Sequence, residues 1–519
     1  MKMVYGVDGK PPFGKLLLFS LQQLLAILAA TIAVPMIIGN GMSPSAALFG
    51  AGVGTLVYLL FTKFKSPVFL GSSFAFLGSM SAACAGGVSM SLGYFGLLIG
   101  AGFAGLVYVV IALIVKFAGV KWIDKIMPAV VIGPTVAIIG LSLAGNAIGD
   151  LMQGSVTTPV LQWLIENGAP VQKEVQVMVC SPYLALLCGL VTLAVTIVCS
   201  VFGKKMLKMI PFIIGILAGY GLASIFTAIG YGAKIDALKI INFGLFKNMQ
   251  WYPDFAFLTA FKGGYTGSGM GAYIGTIAVA YVPVAFVVFA EHLADHKNIS
   301  SIIEHDLLKE PGLSRTLLGD GVGSVAGAFF GGCPNTTYGE SVGCVAISGN
   351  ASVRTILVTA IMAIVSAFVA PFVTFLSTIP KCVMGGVCIA LYGFIAVSGL
   401  KMIQKVDLGD NRNLFTVSVI LIAGVGGMVL NIGKVVITSV ACSLILGILT
   451  NLLVNIGNKK AASADGAQTQ TVADSSDGKE SANGEAPATE AAATALMGAA
   501  ESEHTINKLN TEEKRNEEL

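Results

Sequence analysis

The chain has 519 residues, 55% of them hydrophobic and 11% charged, against about 25% charged in an ordinary soluble domain. Its mean hydropathy of +0.82 makes it an all-α polytopic membrane protein and excludes a soluble enzyme with a single anchor. The net charge of +3 hides an acidic tail: from Ala461 onward there are 12 acidic and 4 basic residues, so the body before it is basic.

Fourteen apolar segments are predicted, in two groups of seven: 14–38, 46–61, 69–90, 94–115, 127–143, 182–202 and 209–229, then 271–296, 317–330, 333–347, 355–375, 383–397, 414–430 and 435–456. The first is a full-length span with no small-residue cleavage pattern behind it, so no signal peptide is expected. Lys63, Lys65, Lys116, Lys121, Lys125, Lys204, Lys205, Lys208, Lys297, Lys309, Arg315, Arg354, Lys401, Lys405 and Arg412 fall on one side of this arrangement. The positive-inside rule then places both termini in the cytoplasm. Two long outer loops, 145–181 and 230–270, carry Trp163 and Trp251 as interface anchors, and the cluster Gly263, Gly264, Gly267 and Gly269 reads as flexible loop. The tail has no aromatic residue and is rich in Ala, Ser, Thr, Gly and Glu. It cannot bury enough apolar surface to offset chain entropy and is expected to be disordered.

An odd repeat forces the two halves into opposite topology. Pro128, Gly133 and Gly140 in segment five match Pro380, Gly385 or Gly386, and Gly393 in segment twelve. Segment three carries GSSFAF from Gly71 to Phe76, and segment ten carries GGCPNTTYGESVGCVAISG from Gly331 to Gly349. Pro334, Asn335, Thr336 and Thr337 favour extended or turn backbone, and the apolar run from Glu340 is long enough only for a half-helix. Small polar interruptions in corresponding spans of two halves point to a transport site. A carboxylate at such a break, Glu340, is a functional candidate because burying it unpaired is costly.

Segment eight ends in Glu291, His292, Asp295 and His296. On a helix Glu291 and Asp295 share one face, and the two histidines share the adjacent one. Residues 298–309 behind them read as a separate amphipathic helix lined by Ile299, Ile302, Ile303 and Leu307 and closed by Pro311. Asp320 lies between glycines, but Leu317 stands where an intramembrane aspartyl protease needs Gly, so a structural or capping role is expected. Gln22 and Gln23 precede an apolar run containing Ala30 and Thr31. The nine cysteines form no CxxC pair, and the four histidines complete no metal set, so neither a zinc site nor a disulfide framework is expected. No nucleophile–base pair suggests an enzyme.

GSSFAF, AEHLAD in segment eight, LLGDG and above all CPNTTYGES resemble the nucleobase–ascorbate transporter family over roughly residues 14–456. The resemblance implies fourteen segments in two inverted seven-segment repeats, divided into a core and a gate domain, with short strands in broken segments three and ten. On this chain that gives a cytoplasmic N-terminus 1–13, core parts 14–120 (segments one to four) and 271–378 (eight to eleven), gate parts 121–230 (five to seven) and 379–458 (twelve to fourteen), an outer loop 231–270 and a disordered cytoplasmic tail 459–519. It implies proton-coupled uptake of a nucleobase, uracil first, across the inner (plasma) membrane by a homodimer set in lipid. No cofactor is expected beyond the proton gradient, and no nucleic-acid partner. Purines such as xanthine or urate are the alternative substrates; anion transport on the same fold is disfavoured by Glu340.

Carried over by position, Glu291 and Glu340 match the substrate-binding carboxylates. Phe74, Tyr338 and Gly339 line the ring, with Ser73 and Ala30 beside them; Glu291, Asp295 and Gln23 serve proton coupling. Ser341, Ser348 and Gln23 stand where relatives usually have Asn, Thr and His. The chemistry suits a pyrimidine ring: carboxylates accept its N–H groups, and amides freed at the broken segments donate to its carbonyls.

Overall fold

The computed structural model describes residues 3–85, 88–119, 122–123, 127–166, 169–204, 206–263, 270–432 and 435–456. The tail lies outside the described residues, as do Gly264, Gly267, Gly269 and the side chain of Trp163; Trp251 is exposed.

Helices dominate. They run α1 Phe13–Ile38, α2 Pro44–Phe61, α3 Leu77–Cys84, α4 Met90–Ala118, α5 Ala129–Ser142 and α6 Ala144–Asp150. Next come α7 Pro182–Phe202, α8 Met206–Met209, α9 Pro211–Gly232, α10 Ala256–Ala260, α11 Met270–Ile303 and α12 Leu313–Gly331. The last are α13 Gly339–Ser348, α14 Val353–Ser366, α15 Ala370–Thr378, α16 Lys381–Ile403, α17 Asn411–Val425 and α18 Ser439–Val454. Local signals set several ends. Ser43 accepts a hydrogen bond from the Ala46 amide with Pro44 at the first helical position, and Ser89 accepts from the Leu92 amide; both are N-cap chemistry. Among the described residues, eight helices are long and apolar enough to cross a membrane. Nine are, if α14 and α15, bent by 84°, count as one span. The chain is therefore a multi-pass membrane protein.

Two sets of helices pack within themselves. In one, α2 crosses α12 and α14, α4 packs on α11 and α12, and α1 lies on α14. In the other, α16 packs on α5 and α7, α9 on α7, and α17 and α18 on α5. Glycine makes the closest crossings possible. A Cβ at Gly50 would collide with the Gly327 carbonyl where α2 meets α12, and one at Gly140 with the Tyr392 carbonyl where α5 meets α16. In lipid, where apolar side chains gain little by leaving the solvent, such close backbone approach supplies much of the packing energy.

Segments three and ten are broken. β1 (Leu70–Ser72) precedes α3; the other partner, Asn335–Thr337, precedes α13. They pair antiparallel, Leu70 opposite Thr337 and Ser72 opposite Asn335. The Ser73 amide donates to the Pro334 carbonyl at 2.9 Å and the Tyr338 amide to the Phe69 carbonyl at 3.2 Å. Each break thus satisfies the backbone of the other, as buried irregular chain requires.

Two sequence expectations are corrected. Residues 298–309 do not form a separate helix: α11 continues without interruption to Ile303, and the turn comes at Glu304, where φ is +55°. No Gly or Pro separates His296 from Ile303, so nothing stops the helix there. Ser300 then organises the turn, its hydroxyl donating to the His296 carbonyl at 2.5 Å and accepting from the Leu307 amide at 3.0 Å. Second, the outer stretch 145–181 is not all loop. With the strands numbered in chain order, it holds β2 (Thr157–Glu166) and β3 (Ala169–Met178), paired antiparallel along their length; the broken-span strand Asn335–Thr337 is β4. The signal was present in the sequence as two runs rich in Val, Leu, Ile, Thr and Trp on either side of an Asn-Gly pair.

Candidate functional site

A cavity of about 320 Å³ opens where β4 and the N-terminus of α13 face the other helix set. From α11 come Glu291, Ala294, Asp295 and Asn298; from β4 and α13 come Thr336, Thr337, Tyr338, Gly339, Glu340 and Gly343. Phe74 closes one end, and Val136, Phe212, Phe394 and Ile395 form the facing apolar wall, with Lys208 among the remaining lining residues. Glu291, Asp295 and Glu340 are half-buried.

Local structure explains each position. Glu291 and Asp295, four apart on α11, project from one face. Glu340 sits in the first turn of α13, where the free amides and helix dipole stabilise a carboxylate. The Thr337 hydroxyl donates to Asp295 Oδ2 at 2.7 Å, fixing that carboxylate. Tyr338 is held by its hydroxyl, which donates to the Ser72 carbonyl at 2.9 Å. Its ring lies so close to Gly71 that any Cβ there would overlap it. Phe74 meets Tyr392 edge-on at 5.6 Å. Phe74 also lines a second cavity of about 200 Å³ with Ser142, Asn146, Thr438 and Ser439, so its ring is a shared wall.

Of the residues named from sequence, Glu291, Glu340, Asp295, Phe74, Tyr338 and Gly339 line one cavity. Ala30, Ser73 and Gln23 do not. Ala30 is fully buried among helices, and Ala26, one turn earlier on α1, takes the cavity position. Ser73 is enclosed at the strand crossing. Gln23 is turned away from the cavity: its amide donates to the Ser341 hydroxyl, which also accepts from the Phe69 amide at 3.2 Å. Ser341 is likewise outside the cavity wall, and its hydroxyl ties the two broken segments together by accepting from the Phe69 amide. Sequence reasoning missed the whole apolar wall from α5, α9 and α16, because its residues are ordinary span residues with no local signature.

The arrangement offers acceptors at two carboxylates, donors at a half-helix N-terminus and flat apolar faces at Phe74 and Tyr338. That is recognition chemistry for a small planar polar molecule. Among the described residues no group of His, Cys, Asp and Glu could hold a metal ion, and Asp320 is buried on α12, outside the cavity wall.

Residues 14–433 match the model of the Permease family, to which the chain belongs. The chain is a transporter. It is similar to the uracil permease of Bacillus caldolyticus, 40% identical over 87% of this chain and 95% of that protein. The uracil permease of Bacillus subtilis (strain 168) is 37% identical over 87% and 95%, and that of Escherichia coli (strain K12) 36% over 86% and 93%. Among solved structures it shares its fold with the transmembrane domain of the cyanobacterial bicarbonate transporter BicA. There the TM-score is 0.55 at 16% identity, covering 85% of this chain and 97% of that one. Murine Solute Carrier 26 family member A9 gives 0.53 at 13%, covering 86% and 69%.

Proposed function

We propose that the chain takes up a nucleobase, uracil first, across the cell membrane together with protons. The observation that carries this is the meeting of Glu291 and Glu340 with Phe74 and Tyr338 in one cavity, in a chain similar along most of its length to proteins named uracil permease. Uracil has two ring N–H donors and two carbonyl acceptors. Glu291 and Glu340 accept from the N–H groups, and amides of the α13 N-terminus donate to a carbonyl. Carboxyl groups exchange protons, and Glu291 and Asp295 both line the cavity, so they are the coupling groups.

The wider reading follows from the same site. Fourteen segments form two inverted repeats, the broken segments three and ten being equivalents, with a core domain (14–120, 271–378) moving against a gate domain (121–230, 379–458). The termini lie in the cytoplasm, and two copies associate in the membrane. The test is uptake of radiolabelled uracil into vesicles under an imposed proton gradient, with unlabelled pyrimidines and purines as competitors. Accumulation that collapses with a protonophore supports the reading; uptake indifferent to the gradient rejects proton coupling.

A further inference from the structure

The face of α11 adjacent to the one that lines the cavity carries a second set of polar side chains. His292 and Asp320 are buried, at 0% and 1% exposure, with His292 Nδ1 and Asp320 Oδ2 2.7 Å apart. His292 Nε2 lies 3.0 Å from the Thr316 hydroxyl, which lies 3.0 Å from the Leu313 carbonyl. The His296 ring stacks on His292 at 4.0 Å. His296 Nδ1 donates to the His292 carbonyl at 2.9 Å, so its Nε2 accepts from the Tyr58 hydroxyl at 2.7 Å, and Tyr58 in turn accepts from Ser66 at 2.6 Å. His296 is thereby fixed in one neutral tautomer, and the variable proton is confined to the other pair.

That pair has two arrangements in which His292 Nδ1, His292 Nε2, Asp320 Oδ2 and the Thr316 hydroxyl all keep a partner. When Thr316 gives its single hydrogen to the Leu313 carbonyl, it accepts from His292 Nε2–H, and one further proton lies between Nδ1 and Oδ2. When the hydroxyl rotates to donate to Nε2, Nδ1–H donates to an ionised Asp320, and the pair holds one proton fewer. A buried polar site usually pays heavily for changing its proton count, because a donor or acceptor is orphaned. Here rotation of one hydroxyl keeps those atoms paired at both proton counts, and the cost of losing the proton is that of burying the charge itself.

We propose that the His292–Asp320 pair is a proton-holding site additional to the cavity carboxylates, and that its occupancy sets the pH range over which the chain transports. The proposal rests on the proton-coupled reading of the cavity. The charged and titratable groups around the pair are few. Glu291 and Asp295 lie on the adjacent face of α11. Tyr58 comes from α2; Tyr108, from α4, meets His292 edge-on at 6.2 Å. Arg315 beside Thr316 is exposed, and Lys65 beyond Ser66 pairs with Glu310 outside. The Tyr108 hydroxyl lies beside that of Thr336 without a direct hydrogen bond to it, and Thr336 lines the cavity. Tyr108 thus touches His292 and neighbours Thr336, a residue of the cavity wall.

Asp320→Asn tests this, since an amide there donates to His292 Nδ1 and keeps every bond of the proton-loaded form while removing the ionisable group. An ionised Asp320 favours a proton on nearby Glu291 through like-charge repulsion. Without it, uracil uptake at about pH 8 relative to about pH 6 should fall at least ~threefold below the wild-type ratio, with the KM at acid pH unchanged. A superimposable pH profile overturns the proposal. Wild-type uptake insensitive to pH and to protonophore would instead overturn the proton-coupled reading itself. His292→Gln repeats the test from the other partner. If neither variant folds, infrared titration of wild-type protein carrying isotope-labelled histidine decides: a buried imidazole that changes with pH between its Nε2–H and Nδ1–H forms is expected, and its absence overturns the proposal.

Discussion

The Thr337 hydroxyl donates to Asp295 Oδ2 at 2.7 Å, tying the strand that leads into the half-helix of Glu340 to the helix that carries Glu291. A hydrogen bond to a charged group contributes about 1.5–3 kcal/mol. Thr337→Val keeps the shape and removes the donor, so uracil uptake should fall about tenfold, ~1.4 kcal/mol, and Thr337→Ser should restore it. Uptake by the valine variant at the wild-type rate would show that Asp295 needs no anchoring.

Glu291→Gln retains size and some hydrogen bonding but cannot exchange a proton. Proton-driven accumulation should be abolished while the protein reaches the membrane in normal amount. Accumulation at the wild-type level under a pH gradient would remove Glu291 from the coupling path.

Gln23 and Ser341 should behave as one unit. Each single change to Ala removes the same bond from a buried site, at a cost of about 1 kcal/mol, or about fivefold in the KM for uracil. Ser341→Ala also leaves the Phe69 amide without its acceptor, so the double variant should be no worse than Ser341→Ala alone, the signature of a shared interaction. Additive losses in a double-mutant cycle would show that the two act separately.

Substrate choice follows from pairing and space. A pyrimidine methylated at a ring nitrogen leaves a cavity carboxylate without its donor, and sites built around such a bond reject ligands that lack it. Phe74 and Tyr338 crowd the cavity against a fused second ring, so uracil should outcompete xanthine by at least about tenfold, ~1.4 kcal/mol. Excess xanthine blocking uptake better than excess uracil would overturn the pyrimidine assignment.

What the sequence determined by itself is whatever hydropathy and local backbone chemistry control. Long apolar runs give spans because an unpaired backbone group is too costly in lipid. Pro334 through Thr337 and the glycines around them announce the broken segment, and the four-residue spacing of Glu291 and Asp295 puts both on one face. Tertiary structure decided which of these polar groups meet. Thr337 reaches Asp295 across 42 residues, Tyr58 reaches His296 across 238 and Gln23 reaches Ser341 across 318. No local signal marks such pairs, since any of these side chains could equally face a neighbouring helix or lipid. The same reason hid the apolar wall of Val136, Phe212 and Phe394, whose residues differ from other span residues only in what the packing sets before them.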